Sequence, residues 1–342
     1  MIDASLKVTI MGEEKKIMAG TTFEDIAKEY QPKFNHPIVV AKEKGIFKEL
    51  SEVIEGNSEI EFFDCNDCEG NRIYLNGLVY LLIYSVKELY GKNTKVNVRY
   101  TIDKGLYITL NKKLSKDMIK EIKNKMLELV EQDIKISPKN VLRLEAIEYF
   151  EKTGDFDKAS MLRYNTNSYI TLYKLGNMYD FYFSKMPTST SVLNEFNVEY
   201  LNEEGFILMY PNRYTDGEVQ KYQHHPQRFE VYNDYREWIK IMNIENASNL
   251  NEIVSSGKIG NLIRLDETIQ ANKLLNIAKD IYSHKDRLKV ILIAGPSSSG
   301  KTTTSIKLTN YLTSFGLNPI QISMDDYFIS RKSTPKKPDG SY

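Results

Sequence analysis

Gly295-Pro296-Ser297-Ser298-Ser299-Gly300-Lys301-Thr302 has the form of a complete phosphate-binding loop. The apolar run Val290 to Ala294 leads into it and a helix-like stretch, Thr303 to Phe315, leads out. This is the strand-loop-helix order in which backbone N–H groups and a helix N-terminus converge on phosphate oxygens. Gly295 and Gly300 leave the backbone free to turn its amides inward. Lys301 brings a cation to the β- and γ-phosphates, the Thr302 hydroxyl is placed to ligate magnesium, and Thr303 continues the helix start. The residues from Gly295 to Thr303 together point to ATP with Mg²⁺ as the ligand, and they decide an α/β reading for this end of the chain.

Working outward, Leu308, Tyr311, Leu312 and Phe315 form one stripe of the helix, Gly316 ends it, and Pro319 to Ser323 reads as a second strand. A right-handed β-α-β crossover brings the end of that strand to the sheet edge that carries the loop, where Asp325 and Asp326 follow. A carboxylate there can take the proton of an acceptor hydroxyl in line with a γ-phosphate, or hold magnesium through water. The expectation assigns the base to Asp325 and leaves Asp326 as a turn cap or a water-mediated magnesium contact. Tyr327 and Phe328 suit either a flat substrate or packing under the sheet.

The remaining chain bounds this reading. Its 342 residues, 41% hydrophobic and 27% charged, suffice for two or three domains. Lys plus Arg equals Asp plus Glu at 46 each, so any nucleic-acid site must be local rather than a property of the whole field. No apolar run approaches the roughly 20 residues of a membrane span, and Met1 to Ile10 lacks a signal-peptide pattern; the expectation is a cytoplasmic protein without a membrane partner. Cys65 and Cys68 have the spacing of a metal or redox pair, but no second pair and no adjacent histidine completes a site, so reduced thiols at a domain border are expected. His224 and His225 read as a solvated loop pair. The 23 tyrosines are too many to be anything but chiefly packing residues.

The N-terminal segment predicts a hairpin (Lys7 to Ile10, Lys15 to Met18), a helix from Phe23 to Tyr30 capped by Thr21-Thr22, and strand-like pieces at Ile38 to Ala41, Ile46 to Phe47 and Ile60 to Phe63. From Asn71 a long helix runs to Gly91. Strands follow at Val96 to Tyr100 and Leu106 to Leu110, a helix opens at Ser115, another opens at Pro138, and strands return at Tyr169 to Leu175, Tyr179 to Phe183 and Phe206 to Tyr210. A charged helical connector from Tyr222 to about Arg287 has Trp238, Leu274, Leu275, Ile277 and Ile281 as anchors, and Arg331 to Lys337 is the one dense basic cluster. The expected fold is multidomain α+β and α/β, with boundaries at 1–66, 67–211, 212–287 and 288–342.

Ile293 to Thr303 together with Ser323-Met324-Asp325-Asp326-Tyr327-Phe328 resembles the uridine kinase/phosphoribulokinase family. That resemblance implies transfer of the ATP γ-phosphate to a ribose hydroxyl, with Asp325 activating the acceptor and Lys301 and Thr302 on phosphate and magnesium. Ala19-Gly20-Thr21-Thr22-Phe23-Glu24-Asp25-Ile26-Ala27 is similar to a TGS domain, a β-grasp-type module. Residues 67–211 resemble the editing-type second domain of threonyl-tRNA synthetase. Where that domain has two paired histidines this chain has Asn76 and Tyr80, and where it has cysteine and histidine after an aspartate, Asp180 is followed by Tyr182 and Met186. The order of parts resembles bacterial multidomain uridine kinase-like proteins through the connector, including Pro226-Gln227-Arg228-Phe229-Glu230-Val231.

By that resemblance the kinase domain is only begun before Tyr342, so binding without turnover is the expectation for this chain. Uridine, cytidine, another ribose or a sugar phosphate all suit a base at Asp325. The competing expectation is an RNA-binding or regulatory protein in which the nucleotide site acts as a switch, and a third is a simple ATPase. Oligomeric state has no signature in the sequence.

Overall fold

The computed structural model describes residues 5–330, 333–338 and 340. Arg331 and Lys332 of the basic cluster, and Asp339, Ser341 and Tyr342 of the run after it, lie outside the described residues. The chain divides into two compact units, Met1–Asn251 and Glu252–Tyr342.

The first unit opens with β1 (Ser5–Ile10), β2 (Glu13–Met18), α1 (Phe23–Tyr30), β3 (Val40–Glu43), β4 (Ile46–Lys48) and β5 (Ser58–Phe63), in the sheet order β2-β1-β5-β3-β4. Only β1 and β5 run parallel; the other pairs are antiparallel. α1 starts on a capping box: the Asp25 amide donates to Thr22 Oγ1 at 3.2 Å, and the Thr22 amide donates to the Asp25 carboxylate at 2.9 Å. Its apolar face, Phe23, Ile26, Ala27 and Tyr30, closes a core with Val8, Ile10, Ile60 and Phe62 from the sheet. This is the mixed sheet crossed by one helix that the spacing predicts.

A second core is built around α2 (Cys68–Tyr90), whose N-terminus Asp67 caps by accepting from the Glu69 and Gly70 amides and whose C-terminus turns at Gly91 with φ 89°. Then come β6 (Val96–Ile102), β7 (Gly105–Leu110), α3 (Lys116–Glu131), β8 (Ile136–Leu142), α4 (Arg143–Lys152), α5 (Phe156–Arg163), β9 (Tyr169–Leu175), β10 (Met178–Phe181), β11 (Asn197–Tyr200) and β12 (Gly205–Met209). They form two antiparallel sheets, β10-β9-β8 and β11-β12-β7-β6. Ile73, Tyr74, Leu78, Tyr80, Leu81, Leu82 and Val86 are fully buried, so α2 is apolar around most of its circumference, as a helix enclosed by its own domain must be.

Pro138 corrects the sequence reading. It lies in β8, opposite Tyr173, and the helix expected there begins at Arg143. β8 is an edge strand, where the amide that proline lacks is not needed for the ladder. β11 has no counterpart in the sequence reading, and β10 ends at Phe181 rather than Phe183.

α6 (Pro226–Ile241) packs on the four-stranded sheet: the Tyr232 ring stacks on Tyr100 at 4.2 Å, Phe229 meets Tyr107 edge-on at 5.3 Å, and Arg236 donates to Glu204 at 2.7 Å. Trp238 is half-buried. α7 spans Ala247–Ser255.

The second unit pairs α8 (Ile259–Ser283) with α9 (Lys301–Ser314). Ala278 and Ile281 pack on Leu308 and Leu312, with Tyr311, Phe315 and Leu317 at the margin, and Tyr282 meets Phe315 at 5.5 Å. Leu274 is also buried, while Ile277 is exposed. The expected stripe of α9 is present, but it faces a helix. The strands expected at Val290 to Ala294 and Pro319 to Ser323 are not formed; among the described residues no strand follows Met209. Leu292 is 87% exposed and Ile320 85%. An isolated strand leaves its amides and carbonyls unpaired, so neither segment gains from extending without a neighbour. The expected P-loop α/β kinase domain is therefore not seen here.

Candidate functional site

Two regions carry the residues singled out by sequence. In the second unit, Gly295 to Gly300 forms a turn that feeds α9, with left-handed backbone at Ser298 (φ 60°) and Gly300 (φ 80°). A side chain at Gly295 would come within 2.7 Å of Ser299 Oγ, so the turn is tight at its first glycine. Lys301 Nζ folds back to donate to the Pro296 carbonyl at 2.8 Å, and Thr302 and Thr303 lie in the first turn of α9. The loop, its lysine and the helix N-terminus are thus contiguous.

Asp325 and Asp326 stand in a 3-10 turn, Met324–Tyr327, whose start is held by Ser323 Oγ accepting from the Asp325 amide at 3.3 Å. Gln321 Nε2 donates to Ser305 Oγ at 2.5 Å, which lays the preceding segment beside the second turn of α9. No hydrogen bond or ion pair among the described residues joins either aspartate to Lys301 or Thr302. Tyr327 and Phe328 are exposed rather than packed under a sheet.

In the first unit, Asn76 and Tyr80 lie one turn apart on α2. Asn76 Nδ2 donates to Ser184 Oγ. The Tyr80 hydroxyl is directed at two backbone carbonyls, Tyr173 at 2.7 Å and Met178 at 2.9 Å. Its ring lies 5.5 Å from that of Tyr182, which in turn lies 6.4 Å from Tyr173. Asp180 is 2% exposed and accepts from Lys158 Nζ at 2.5 Å and from the Phe181 amide at 2.7 Å.

Burial, followed by the nearby Asp180 charge, pushes the Tyr80 and Tyr182 phenols well above their ordinary value. Burial, followed by a 2.5 Å hydrogen bond to Glu49, does the same to Tyr173. The three phenols therefore stay protonated at neutral pH; of the two carboxylates beside them, Asp180 is paired with Lys158, and Glu49 accepts from the Tyr173 hydroxyl and the Met186 amide. The geometry is that of packing, with the Tyr80 and Tyr173 hydroxyls hydrogen-bonded and the buried Tyr182 hydroxyl without a hydrogen-bond partner among the described residues; Met186 is buried nearby.

Cys65 is buried and Cys68 is exposed in the first turn of α2; both are free thiols. His224 Nδ1 lies 3.1 Å from the Tyr222 hydroxyl, and His225 Nε2 lies 3.6 Å from Asp103. Sequence reasoning passed over Tyr169 and Phe183, which are 65% and 82% exposed on the second domain; Lys139, on the strand β8 that pairs with β9, covers the Tyr179 ring with its Nζ at 5.5 Å. An aromatic in the outward phase of its strand, alternating with the buried Ile170 and Leu172, was the available signal for Tyr169.

The arrangement defines a mixed α/β protein with several sheets, bearing a phosphate-loop-like turn at a helix start. The chain matches no protein-family model. It is similar to the threonine–tRNA ligase of Geobacillus kaustophilus (strain HTA426), 29% identical over 190 residues, which is 55% of this chain and 29% of the relative. It is also similar to the threonine–tRNA ligase of Francisella tularensis subsp. tularensis (strain FSC 198), 28% identical over 192 residues, 56% of this chain and 30% of the relative. The match thus spans about three tenths of the length of these relatives. These relatives correct the functional expectation: they are tRNA ligases, nothing among them indicates a nucleoside kinase, and the phosphotransferase role given to Asp325 and Lys301 is withdrawn.

Proposed function

We propose that residues 1–211 form an RNA-binding module related to part of threonine–tRNA ligases, used for grip and not for hydrolysis. In this reading 1–66 is a β-grasp module of the TGS kind, 67–211 an editing-like domain, 212–287 a helical connector, and 288–342 a phosphate-binding segment. One observation carries it: a match of 190 residues, close to the combined length of the two N-terminal domains, to an enzyme whose name declares tRNA as its substrate. Two features of the structure support it. The tyrosine cluster at Tyr80, Tyr173 and Tyr182 offers no free base or metal ligand. The exposed rings of Tyr169 and Phe183, with Lys139 on the strand β8 that pairs with β9, are the side-chain types on which unstacked bases rest.

The test is fluorescence anisotropy of a labelled tRNA against the full chain at stepped salt. With three to four phosphate contacts, affinity should fall roughly 20- to 50-fold between 50 and 200 mM salt. F183A together with Y169A should weaken binding further, by roughly tenfold per lost stack. Absence of binding at low salt refutes the reading.

A second part of the reading concerns the loop. Gly295, Pro296, Ser297, Ser298, Ser299, Gly300, Lys301, Thr302 and Thr303 are assigned the phosphates of a nucleotide such as ATP, with Mg²⁺ on Thr302 and Asp326 reaching it through water. Its support is the contiguity of loop, lysine and helix start. Calorimetric titration with Mg-ATP should show binding that K301A weakens about 10-fold or more, the loss of a charged hydrogen bond. Equal affinity in K301A would remove the assignment while leaving the RNA reading standing.

A further inference from the structure

His36, Cys65 and Glu195 come from three distant stretches and meet where the five-stranded sheet joins the α2 domain. Their nearest nitrogen, sulfur and carboxylate oxygen all lie within 4.8 Å of one another. His36 Nδ1 stands 3.0 Å from Glu195 Oε2, the histidine side chain is 11% exposed, and Cys65 is wholly buried. We propose that His36 Nδ1, Cys65 Sγ and a Glu195 carboxylate oxygen bind a zinc ion that clamps the two domains together.

The donors suit that cation. A thiolate, an imidazole and a carboxylate form the borderline set that zinc accepts in tetrahedral array, whereas magnesium and calcium require oxygen ligands. Metal–ligand distances of about 2.0–2.3 Å place tetrahedral neighbours about 3.5 Å apart, so capture draws the trio together by roughly one ångström. The fourth position falls to water.

The shell around the trio is fixed independently of any ion. Tyr74, fully buried, donates its hydroxyl to the Glu195 carbonyl at 3.0 Å and accepts from the Glu195 amide at 2.9 Å. Asn71 Nδ2 donates to the Cys65 carbonyl at 3.1 Å and to the Pro211 carbonyl at 2.7 Å. Gln31 holds the His36 loop by donating to the His36 carbonyl and accepting from the Ile38 amide, each at 2.9 Å.

Gly217, at φ 78°, presses against the far side of the imidazole. A Cβ there would lie 2.1 Å from Nε2, so the ring can offer only Nδ1 inward. Binding requires the Nδ1 lone pair, so the neutral ring carries its proton on Nε2, and the Cys65 thiol releases its proton to solvent as the zinc–sulfur bond forms. Cys68 takes no part; the Cys-Asn-Asp-Cys spacing misleads, because the true partners lie 29 residues before and 130 after Cys65.

The experiment titrates the chelator-treated full chain with Co²⁺ under a non-thiol reductant. One equivalent should produce a thiolate-to-cobalt charge-transfer band with tetrahedral d–d absorption, and one equivalent of Zn²⁺ should abolish both. C68S should retain the signal and C65S should lose the charge-transfer band. H36Q should weaken Co²⁺ binding roughly tenfold or more. No saturable band at one equivalent, a band that survives C65S, or unchanged affinity in H36Q overturns the proposal. If C65S does not fold by near-ultraviolet circular dichroism, H36Q alone decides.

Discussion

Replacing Tyr80 by phenylalanine separates a structural role for this position from a functional one. The substitution removes a single oxygen from a wholly buried ring and leaves its packing against Tyr182 in place. That oxygen serves the carbonyls of Tyr173 and Met178, at 2.7 and 2.9 Å, on either side of the β9–β10 turn. A buried carbonyl left without its partner costs about 1–3 kcal/mol. One proton is shared between two acceptors, and the carbonyls retain second lone pairs, so about 2 kcal/mol is the expected loss. For a unit of this size each kcal/mol moves the thermal midpoint by about 2–4 °C, which gives a fall of about 4–8 °C. The assay is urea unfolding followed by near-ultraviolet circular dichroism, with the slope unchanged and the midpoint lowered, run beside tRNA anisotropy, which should not move. A loss below about 0.5 kcal/mol, or a change in RNA affinity at constant stability, would refute the view that this cluster is packing rather than a site.

The α2 glycine at 77 gives a second expectation. A Cβ there would lie 2.4 Å from Pro187 Cγ and 3.1 Å from Leu193 Cδ2, so G77A trades a helix-propensity gain of about 1 kcal/mol against an overpacking cost of about 1–3 kcal/mol. Net destabilisation of about 1 kcal/mol in urea unfolding is expected, and a more stable variant would show that the Pro187 loop yields freely. The third expectation concerns acid. Hydrogen bonds from the Thr22 side chain and backbone hold Asp25 below its ordinary value. Burial raises Glu52, but hydrogen bonds from Lys185 and Lys48 and from the Glu49 amide outweigh it and leave Glu52 lowered too. A carboxylate with a depressed folded value contributes stability that is full above its unfolded value, near 4, and is lost as pH falls through the folded one. Stability should therefore decline below about pH 4–5, with a shallower slope in T22A; identical acid slopes in T22A and the parent would contradict the capping-box account.

The sequence by itself determined whatever depends on neighbours along the chain. The capped helix at Phe23, the end of α2 at Gly91, the stripe of α9 and the tight loop at Gly295 to Gly300 all follow from spacing and turn chemistry, because those forces act within a few residues. The spacing that reads as a β-α-β unit at 290–323 did not produce strands, since a strand is completed by hydrogen bonds to a neighbour that its own residues do not supply. Pro138 misled for a related reason: proline marks a helix start or a sheet edge equally well, and only the position of β8 outside β9 tells them apart. The phenols of Tyr80, Tyr173 and Tyr182 could be listed from sequence but not joined, as their rings come from α2 and from two places around the β9–β10 hairpin. His36, Cys65 and Glu195 are the extreme case. Their convergence is decided entirely by how the sheet docks on α2, and a donor set assembled across a domain seam leaves no local pattern in the chain.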